Sequence, residues 1–99
     1  MTMSSIGTFS IGIKRSAQRS LATLAPPLRQ RVITMIRGLA EDPRPEGAVR
    51  LTGEEHSWCV KVAEIRVVYE VHDSSSQLIV LLVENVRDTI LHFLYKMLG

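Results

Sequence analysis

This chain of 99 residues has room for one folded domain, and its composition, 45% hydrophobic and 22% charged, argues against an intrinsically disordered protein. The formal net charge is only +2, but every acidic residue follows residue 40, which leaves residues 1–40 purely basic. A single cysteine, Cys59, excludes a disulfide within the chain, and the longest apolar run, residues 78–83, is far shorter than the roughly 20 residues of a membrane helix.

The basic region at residues 1–40 can attract phosphate groups or an acidic protein, because clustered charge steers partners even when the net charge is small. An Arg-rich and Ser-rich start without acids is also typical of an organellar transit peptide. We favour a folded region, because a domain this short needs the helices that these residues encode. We therefore expect one domain over residues 1–99, with a disordered tail at residues 1–7, in a reducing cytoplasm.

The first half of the chain predicts a strand followed by two helices. Residues 8–13 alternate with the period of two that is typical of a strand with one buried face. Apolar residues then recur at helical spacing over residues 14–25, and the prolines at 26 and 27 end that helix. Proline is favoured in the first turn of a helix, so we expect a second helix from these prolines to Ala40. The two helices form a helical hairpin.

The middle of the chain predicts a loop and then strands. Residues 41–47 contain two prolines, a glycine and no apolar residue, which indicates a loop. A short strand is possible at residues 48–51. Residues 58–62 and 65–71 both alternate with a period of two. Because only Ala63 and Glu64 separate them, these two strands should form a tight hairpin.

The last third predicts a central strand and a final helix. Residues 78–83 are apolar on both faces, as expected of a strand at the sheet's centre with both sides covered. Asn85 or Asp88 can cap a helix with a broad apolar stripe, made of Ile90, Leu91, Leu94, Met97 and Leu98. The expected fold class is α+β, with an N-terminal strand, a helical hairpin, a mainly antiparallel sheet of about four strands and a C-terminal helix.

The hairpin register predicts an anion site. A two-residue loop places Lys61 directly opposite Arg66, and like charges in that position destabilise a sheet by a few tenths to about 1 kcal/mol. A bound anion would offset this cost, whereas the alternative is that both side chains extend into solvent. Arg50 and Arg87 would complete a cleft of four cations if the sheet brings them together. Cations of this kind can stabilise charge on the phosphoryl oxygens when RNA is cut.

Other candidates carry weaker signals. Lys14, Arg15 and Arg19, together with Arg50, are candidate RNA contacts. His92 and Tyr95 share a face of the final helix and could supplement acid–base chemistry, although the wet side of an amphipathic helix has the same pattern. The three histidines form no motif, and the sequence contains no metal-ligand cluster and no glycine-rich phosphate loop. We therefore expect neither a metal nor a cofactor.

Three segments resemble the RelE/ParE superfamily of bacterial toxins. KRSAQRSLATLAPPLRQRVITMIRGLAEDPRP is similar to the family's helical hairpin, and WCVKVAEIRVVYEV is similar to its strand pair with an Arg-x-x-Tyr segment. LIVLLVENVRDTI resembles the last core strand and the basic motif after it. The resemblance covers about residues 8–90 and implies a RelE-like fold. It also implies a toxin of a type II toxin–antitoxin system in the bacterial cytoplasm.

In the RelE branch, the resemblance implies an enzyme that enters the ribosomal A site and cuts messenger RNA without a metal. Three residues match the positions of its catalytic cations: Lys61, Arg66 and Arg87. Three others depart from the pattern, because Cys59 stands where strong ribonucleases often have lysine, Val86 where the motif has another arginine, and Ile90 where a tyrosine is usual. Tyr95, a turn and a half beyond Ile90 in the predicted final helix, is the tyrosine that follows this position.

These departures leave three hypotheses open. The chain is a ribosome-dependent endoribonuclease, a ParE-like inhibitor of DNA gyrase that needs no catalytic groups, or a degenerate toxin kept as an antitoxin-binding co-repressor. In all three the partner is a cognate antitoxin that folds over the basic surface. The first adds the ribosome and messenger RNA, and operator DNA is reached only through the toxin–antitoxin complex. No membrane partner is expected.

Overall fold

The computed structural model describes residues 8–87. These residues form two helices and a five-stranded sheet, and confirm the predicted α+β class. In chain order the elements are β1 (Ser10–Ile13), α1 (Arg15–Thr23), α2 (Pro26–Gly38), β2 (Val49–Arg50), β3 (Ser57–Val62), β4 (Ile65–His72), a short 3-10 turn (Asp73–Ser75) and β5 (Gln77–Asn85). The predicted N-terminal tail, residues 1–7, and the stripe of the predicted final helix lie outside the described residues.

The strands lie in the order β1-β5-β4-β3-β2. The three pairs from β2 to β5 are antiparallel, as expected, but β1 lies parallel to β5, so the sheet is mixed. Its fifth strand, β2, is the short strand considered at residues 48–51. A parallel pair needs a long crossover between its strands, and the helical hairpin begins that connection. The centre of the sheet is β4 and not, as predicted, β5.

The two prolines separate the helices. Ala25 is extended, with φ −60° and ψ 143°, because the residue before a proline is disfavoured in the helical region. The helix α2 begins at Pro26, where no backbone N–H is required, and Arg29 N–H donates to Ala25 O at 2.8 Å to close the first turn. It ends at Gly38, two residues before the predicted end. Neither helix among residues 8–87 is long and apolar enough to cross a membrane.

Both helices pack on one side of the sheet, which we call the helix face. The buried residues there come from the helices and from alternate positions of the strands: Ala17, Leu21, Val32, Ile36, Leu39, Val60, Ile65, Val67, Tyr69, Val71, Leu78, Val80 and Val83. The other side, which we call the open face, is covered by neither helix. Within residues 8–87, the apolar core therefore lies on the helix face of the sheet.

A β-bulge interrupts β5. Val68 pairs with Leu82 and Tyr69 pairs with Val80, so Leu81 has no register partner. The extra residue shifts the alternation, and Val80 and Val83 both reach the helix face although they are three residues apart. Leu82 is turned to the open face and is 36% exposed, so the prediction that both faces of this strand are covered is wrong.

Candidate functional site

The β3–β4 hairpin has the predicted register. Ala63 and Glu64 form the two-residue turn, and Lys61 pairs directly with Arg66. The adjacent pair, Val60 and Val67, is buried on the helix face. Successive side chains of a strand point to opposite faces, so Lys61 and Arg66 both lie on the open face. The prediction that the two cations share one side of the sheet is confirmed.

A carboxylate completes this row of charges. Arg66 pairs in register with Glu84 of β5, and Arg66 Nη2 lies 3.7 Å from Glu84 Oε2. We call Lys61, Arg66 and Glu84 the charged row. Lys61 is exposed and has no carboxylate within 4.0 Å among residues 8–87. The Nε atom of Arg66 is buried and has no hydrogen-bond partner within the described part of the chain. The sequence alone does not indicate this position for Glu84, because strict alternation from Val80 assigns it to the helix face.

Arg87 lies at the same end of the sheet as the charged row. Val86 N–H donates to Glu64 O at 2.7 Å, which holds the chain after β5 beside the hairpin turn. Asn85 Oδ1 accepts the N–H of Arg87 at 2.8 Å, as a helix N-cap does, in agreement with the cap predicted at Asn85. The backbone therefore places the exposed Arg87 at the hairpin-turn end of the sheet.

The side chain of Arg50 lies on the side of the sheet opposite the charged row. It pairs with Trp58, which in turn pairs with the buried Tyr69, so the parity of the strands places Arg50 on the helix face. Its Nη2 donates to Glu55 O at 3.0 Å. Arg50 is therefore not part of the predicted cleft of four cations, and the prediction is wrong for this residue. The register in which β2 pairs with β3 places its side chain on the face of the sheet opposite Lys61.

The basic residues near the N-terminus are also separate from the charged row. Lys14 N–H donates to Val80 O at 2.9 Å, at the end of β1. Arg15 and Arg19 are exposed and lie on the side of α1 away from its buried Ala17, since two residues along a helix turn about half a circle. They form a basic surface on the helix side. His92 and Tyr95 lie outside the described residues.

A groove of about 700 Å³ lies between α2 and the hairpin turn. The strand β2 pairs only with Trp58 and Cys59, so the outer edge of β3 at Lys61 and Val62 faces the groove without a strand neighbour. Among residues 8–87, the lining includes the cations Arg31 and Lys61 and no acidic residue. This groove can accept an acidic segment with apolar side chains, because Met35 and Val62 also line it.

Cys59 lies on the open face opposite Val68. Burial raises the pKa of its thiol, and this effect exceeds the opposing influence of the Arg66 and Lys61 charges. A thiol that stays protonated is a poor nucleophile and a poor metal ligand. Cys59 is therefore a small neutral side chain on the open face.

Two histidines meet at the opposite end of the open face. The rings of His56 and His72 lie 4.6 Å apart between centroids, and His72 Nε2 lies 3.0 Å from Glu70 Oε1. The sequence analysis found no histidine motif, yet the spacing of two between Glu70 and His72 places both on one strand face. Arg66 is four residues from Glu70 along β4, about 13 Å away. Residues 8–87 contain no group of three side chains suited to hold a metal ion.

The loop between α2 and β2 is fixed to the sheet. Tyr69 OH donates to Pro43 O at 2.7 Å, and burial raises the pKa of Tyr69 to about 12. Arg44 Nη2 lies 2.6 Å from Asp73 Oδ2, and this hydrogen bond lowers the pKa of Asp73. The Arg44 guanidinium carbon also lies 5.4 Å from the centroid of the Trp58 ring. These contacts position the strand β2 that follows the loop.

Comparisons with known proteins identify the fold. No protein-family model matches the chain, and no curated protein matches it. Among solved structures, the toxin–antitoxin complex RelBE2 of Mycobacterium tuberculosis matches with a TM-score of 0.70 and 20% identity, covering 79% of this chain and 91% of the matched chain. A mutant of the toxin RelE of E. coli in the free state has the same TM-score and identity, covering 86% and 90%.

A third match broadens the comparison. The YoeB/ParE toxin of Agrobacterium tumefaciens has a TM-score of 0.67 and 20% identity, covering 78% of this chain and 98% of that chain. Identities this low establish a common fold, and fold by itself does not determine function. The architecture implied by the sequence resemblance is confirmed: the chain has the fold of these toxins.

Proposed function

We propose that this chain, whose fold is that of the RelE toxins, is the toxin of a type II toxin–antitoxin pair and cuts messenger RNA on the ribosome. The observation that carries the proposal is the pair Lys61 and Arg66, opposite each other on the open face, with Arg87 at the same end. Like charges in direct register destabilise a sheet, so an arrangement of this kind is better explained by a bound polyanion than by stability.

The chemistry follows from the residue types. When the 2′-hydroxyl of RNA attacks the neighbouring phosphate, a 2′,3′-cyclic phosphate forms, the P–O5′ bond breaks, and the departing 5′-oxygen gains a proton to balance the one that the 2′-hydroxyl releases. Lys61, Arg66 and Arg87 can stabilise the charge that builds on the phosphoryl oxygens without a metal. Lysine and arginine are poor bases at neutral pH, since their unperturbed pKa values are about 10.4 and above about 12. The ribosome would therefore have to hold the RNA in a reactive geometry. Naked RNA should survive.

The proposed partner is a cognate antitoxin. The similar structures include toxins in complex with antitoxins, and this chain has surfaces suited to such a partner. The groove beside α2 carries Arg31 and Lys61, and the open face exposes Val49 and Leu82. An acidic segment with apolar anchors, folding as it binds, would cover both. Operator DNA would be reached only through that complex.

A ParE-like inhibitor of DNA gyrase is the second candidate. Cys59, which stands where the family's strong ribonucleases often have lysine, is a half-buried neutral thiol on the open face. A protein that acts by binding alone would tolerate this loss. A degenerate toxin that only binds its antitoxin would tolerate it too.

Two assays run side by side test the proposal. We expect purified protein to leave naked messenger RNA intact, to produce new RNA ends by primer extension when ribosomes translate the message, and to leave gyrase supercoiling unchanged. Blocked supercoiling without new RNA ends would favour the gyrase inhibitor. Inactivity in both assays would favour the degenerate toxin.

A gain-of-function variant sharpens the test. Cys59 lies two residues before Lys61 on the same face, so Cys59→Lys adds a cation beside the charged row. Combined with Ile90→Tyr, which restores the tyrosine that the resemblance implies, it should speed ribosome-dependent cutting. Cys59→Ala with Ile90→Phe is the matched control, because it changes the same positions without a charge or a hydroxyl. Equal rates for both double variants would contradict the assignment of these positions.

A further inference from the structure

We propose that Glu84 is a built-in competitor for RNA phosphate at Arg66, so that the protein's own carboxylate lowers its affinity for RNA; this inference rests on the proposed function. The β5 bulge turns Glu84 to the open face and places it in register with Arg66. The carboxylate and the guanidinium lie on neighbouring strands with Arg66 Nη2 and Glu84 Oε2 3.7 Å apart.

The geometry is that of a loose ion pair. Charge-assisted N–H···O hydrogen bonds are about 2.7–2.9 Å long, so a separation of 3.7 Å between Arg66 and Glu84 is electrostatic attraction without a well-formed hydrogen bond. The Nε of Arg66 is buried and has no hydrogen-bond partner among residues 8–87, although buried polar groups are normally satisfied. The Nε–H of Arg66 is thus an unused hydrogen-bond donor within this part of the chain, while the positive charge of the guanidinium is attracted by the Glu84 carboxylate.

The negative charge of Glu84 lowers the affinity of the site for phosphate. Its side chain is 28% exposed and that of Arg66 is 33% exposed, so solvent screens the pair only in part. A phosphate that approaches Arg66 must displace the carboxylate or share the guanidinium with it, and it meets the repulsion of a like charge in either case. Lys61 has no such competitor among residues 8–87 and offers its full charge to the same phosphate.

The test measures binding of a single-stranded oligoribonucleotide with 2′-O-methyl sugars, which cannot be cut by attack of its own 2′-hydroxyl. Glu84→Gln should bind this probe about threefold more tightly at low salt, a change within the range of one partly exposed ion pair. The slope of log K against log salt should steepen by about 0.7, the value of one additional phosphate contact on a single strand.

Two control experiments isolate the effect of the Arg66–Glu84 pair. Glu64→Gln removes the same charge in the adjacent hairpin turn, where Glu64 does not oppose Arg66 in register, and should leave the affinity nearly unchanged. Glu84→Gln in an Arg66→Gln background should also have little effect. An equal gain from Glu64→Gln, or a gain that persists without Arg66, would reduce the role of Glu84 to net charge and overturn the proposal.

The outcomes separate this inference from the proposed function. If Lys61→Gln and Arg66→Gln bind the probe as tightly as the wild type, the open face is not an RNA surface and the proposed function fails. If both weaken binding but Glu84→Gln weakens it too, Glu84 is needed to hold Arg66 in place, and only the competitor role is overturned.

A measurement on the wild type does not depend on how the variants fold. The Nε–H resonance of Arg66 should shift when the probe is added, because a phosphate at the exposed part of the guanidinium displaces the Glu84 carboxylate and changes the electric field at the buried Nε–H. The Nε of Arg29, which is also buried without a partner but lies on α2, is the internal control and should not shift. A saturated complex with an unchanged Arg66 resonance would overturn the proposal.

Discussion

Arg66 lies between charges of opposite sign, with Lys61 on one neighbouring strand and Glu84 on the other. The repulsion that the hairpin register predicts for Lys61 and Arg66 is therefore partly offset by an attraction that the sequence analysis did not include. The two cations consequently differ in their effect on stability although they share one face. Lys61 adds only repulsion, whereas Arg66 also neutralises Glu84.

We expect Lys61→Gln to be neutral or to stabilise the fold by a few tenths of a kcal/mol, since it removes a like-charge contact at an exposed position. Arg66→Gln should destabilise it by up to about 1 kcal/mol, because the attraction between Arg66 and Glu84 is lost. Urea unfolding at neutral pH measures both changes, and growth arrest on expression should weaken in both variants. Stabilisation by Arg66→Gln would show that the pair with Glu84 contributes nothing.

At the scale of elements, the β3–β4 hairpin sets the geometry of the charged row. Its turn contains Ala63 with φ +55°, whereas Glu64 has no positive φ. A positive φ at the first of two turn residues is the pattern of a type II′ turn, which favours glycine at that position. The chain thus holds an L-residue in a left-handed conformation beside its candidate site, at a cost of about 1 kcal/mol.

Ala63→Gly should therefore stabilise the protein by up to about 1 kcal/mol, because the strain at Ala63 disappears while the register stays the same. Urea unfolding checks the prediction. The reciprocal control is Gly47→Ala at φ +94°, where an added Cβ meets no atom within 4 Å, so its expected destabilisation reports backbone strain alone. A loss of stability on Ala63→Gly would mean that the greater freedom of glycine in the unfolded chain outweighs the strain.

At the scale of the whole molecule, Tyr69 joins the central strand to the loop after α2. It is fully buried, and its hydroxyl donates to Pro43 O at 2.7 Å. Because burial raises its pKa to about 12 in the folded protein, above about 10 in the unfolded chain, Tyr69 contributes stability that is fully present below pH 10. That contribution is lost as the pH rises from about 10 to about 12.

Tyr69→Phe should reduce the free energy of unfolding by about 1 kcal/mol at pH 7, the usual net value of one hydrogen bond. It should also flatten the alkaline loss of stability, since phenylalanine has no proton to release. Urea unfolding of wild type and variant at steps from pH 7 to about pH 11.5 measures both effects. Parallel curves for the two proteins would show that Tyr69 does not control the alkaline transition.

The sequence predicted most of the elements because their signals are local. The prolines at 26 and 27 separate the helices, and the period of two identifies β3 and β4. The two-residue loop fixes the Lys61–Arg66 register, since a hairpin register follows from loop length. For that reason the central pair of the candidate site follows from the sequence of one short segment.

Other features of the candidate site depend on how distant segments pack. The register of β2 against β3 decides that Arg50 points away from Lys61. The six residues that connect β2 to β3 carry no local sequence signal for this register. The parallel pairing of β1 with β5 joins segments more than 60 residues apart in the sequence. Sequence periodicity describes the faces of one element and carries no information on which elements become neighbours.

The bulge in β5 separates most clearly what the sequence determines from what the tertiary structure decides. The sequence by itself determined that residues 78–83 form a strand, because this apolar run between turns is too short for a helix. Only the tertiary structure decided on which face Glu84 lies. A single residue without a register partner, Leu81, reverses the alternation after Val80. The packing of β5 against β4 determines where that residue is accommodated, so the charge opposite Arg66 is a property of the folded sheet.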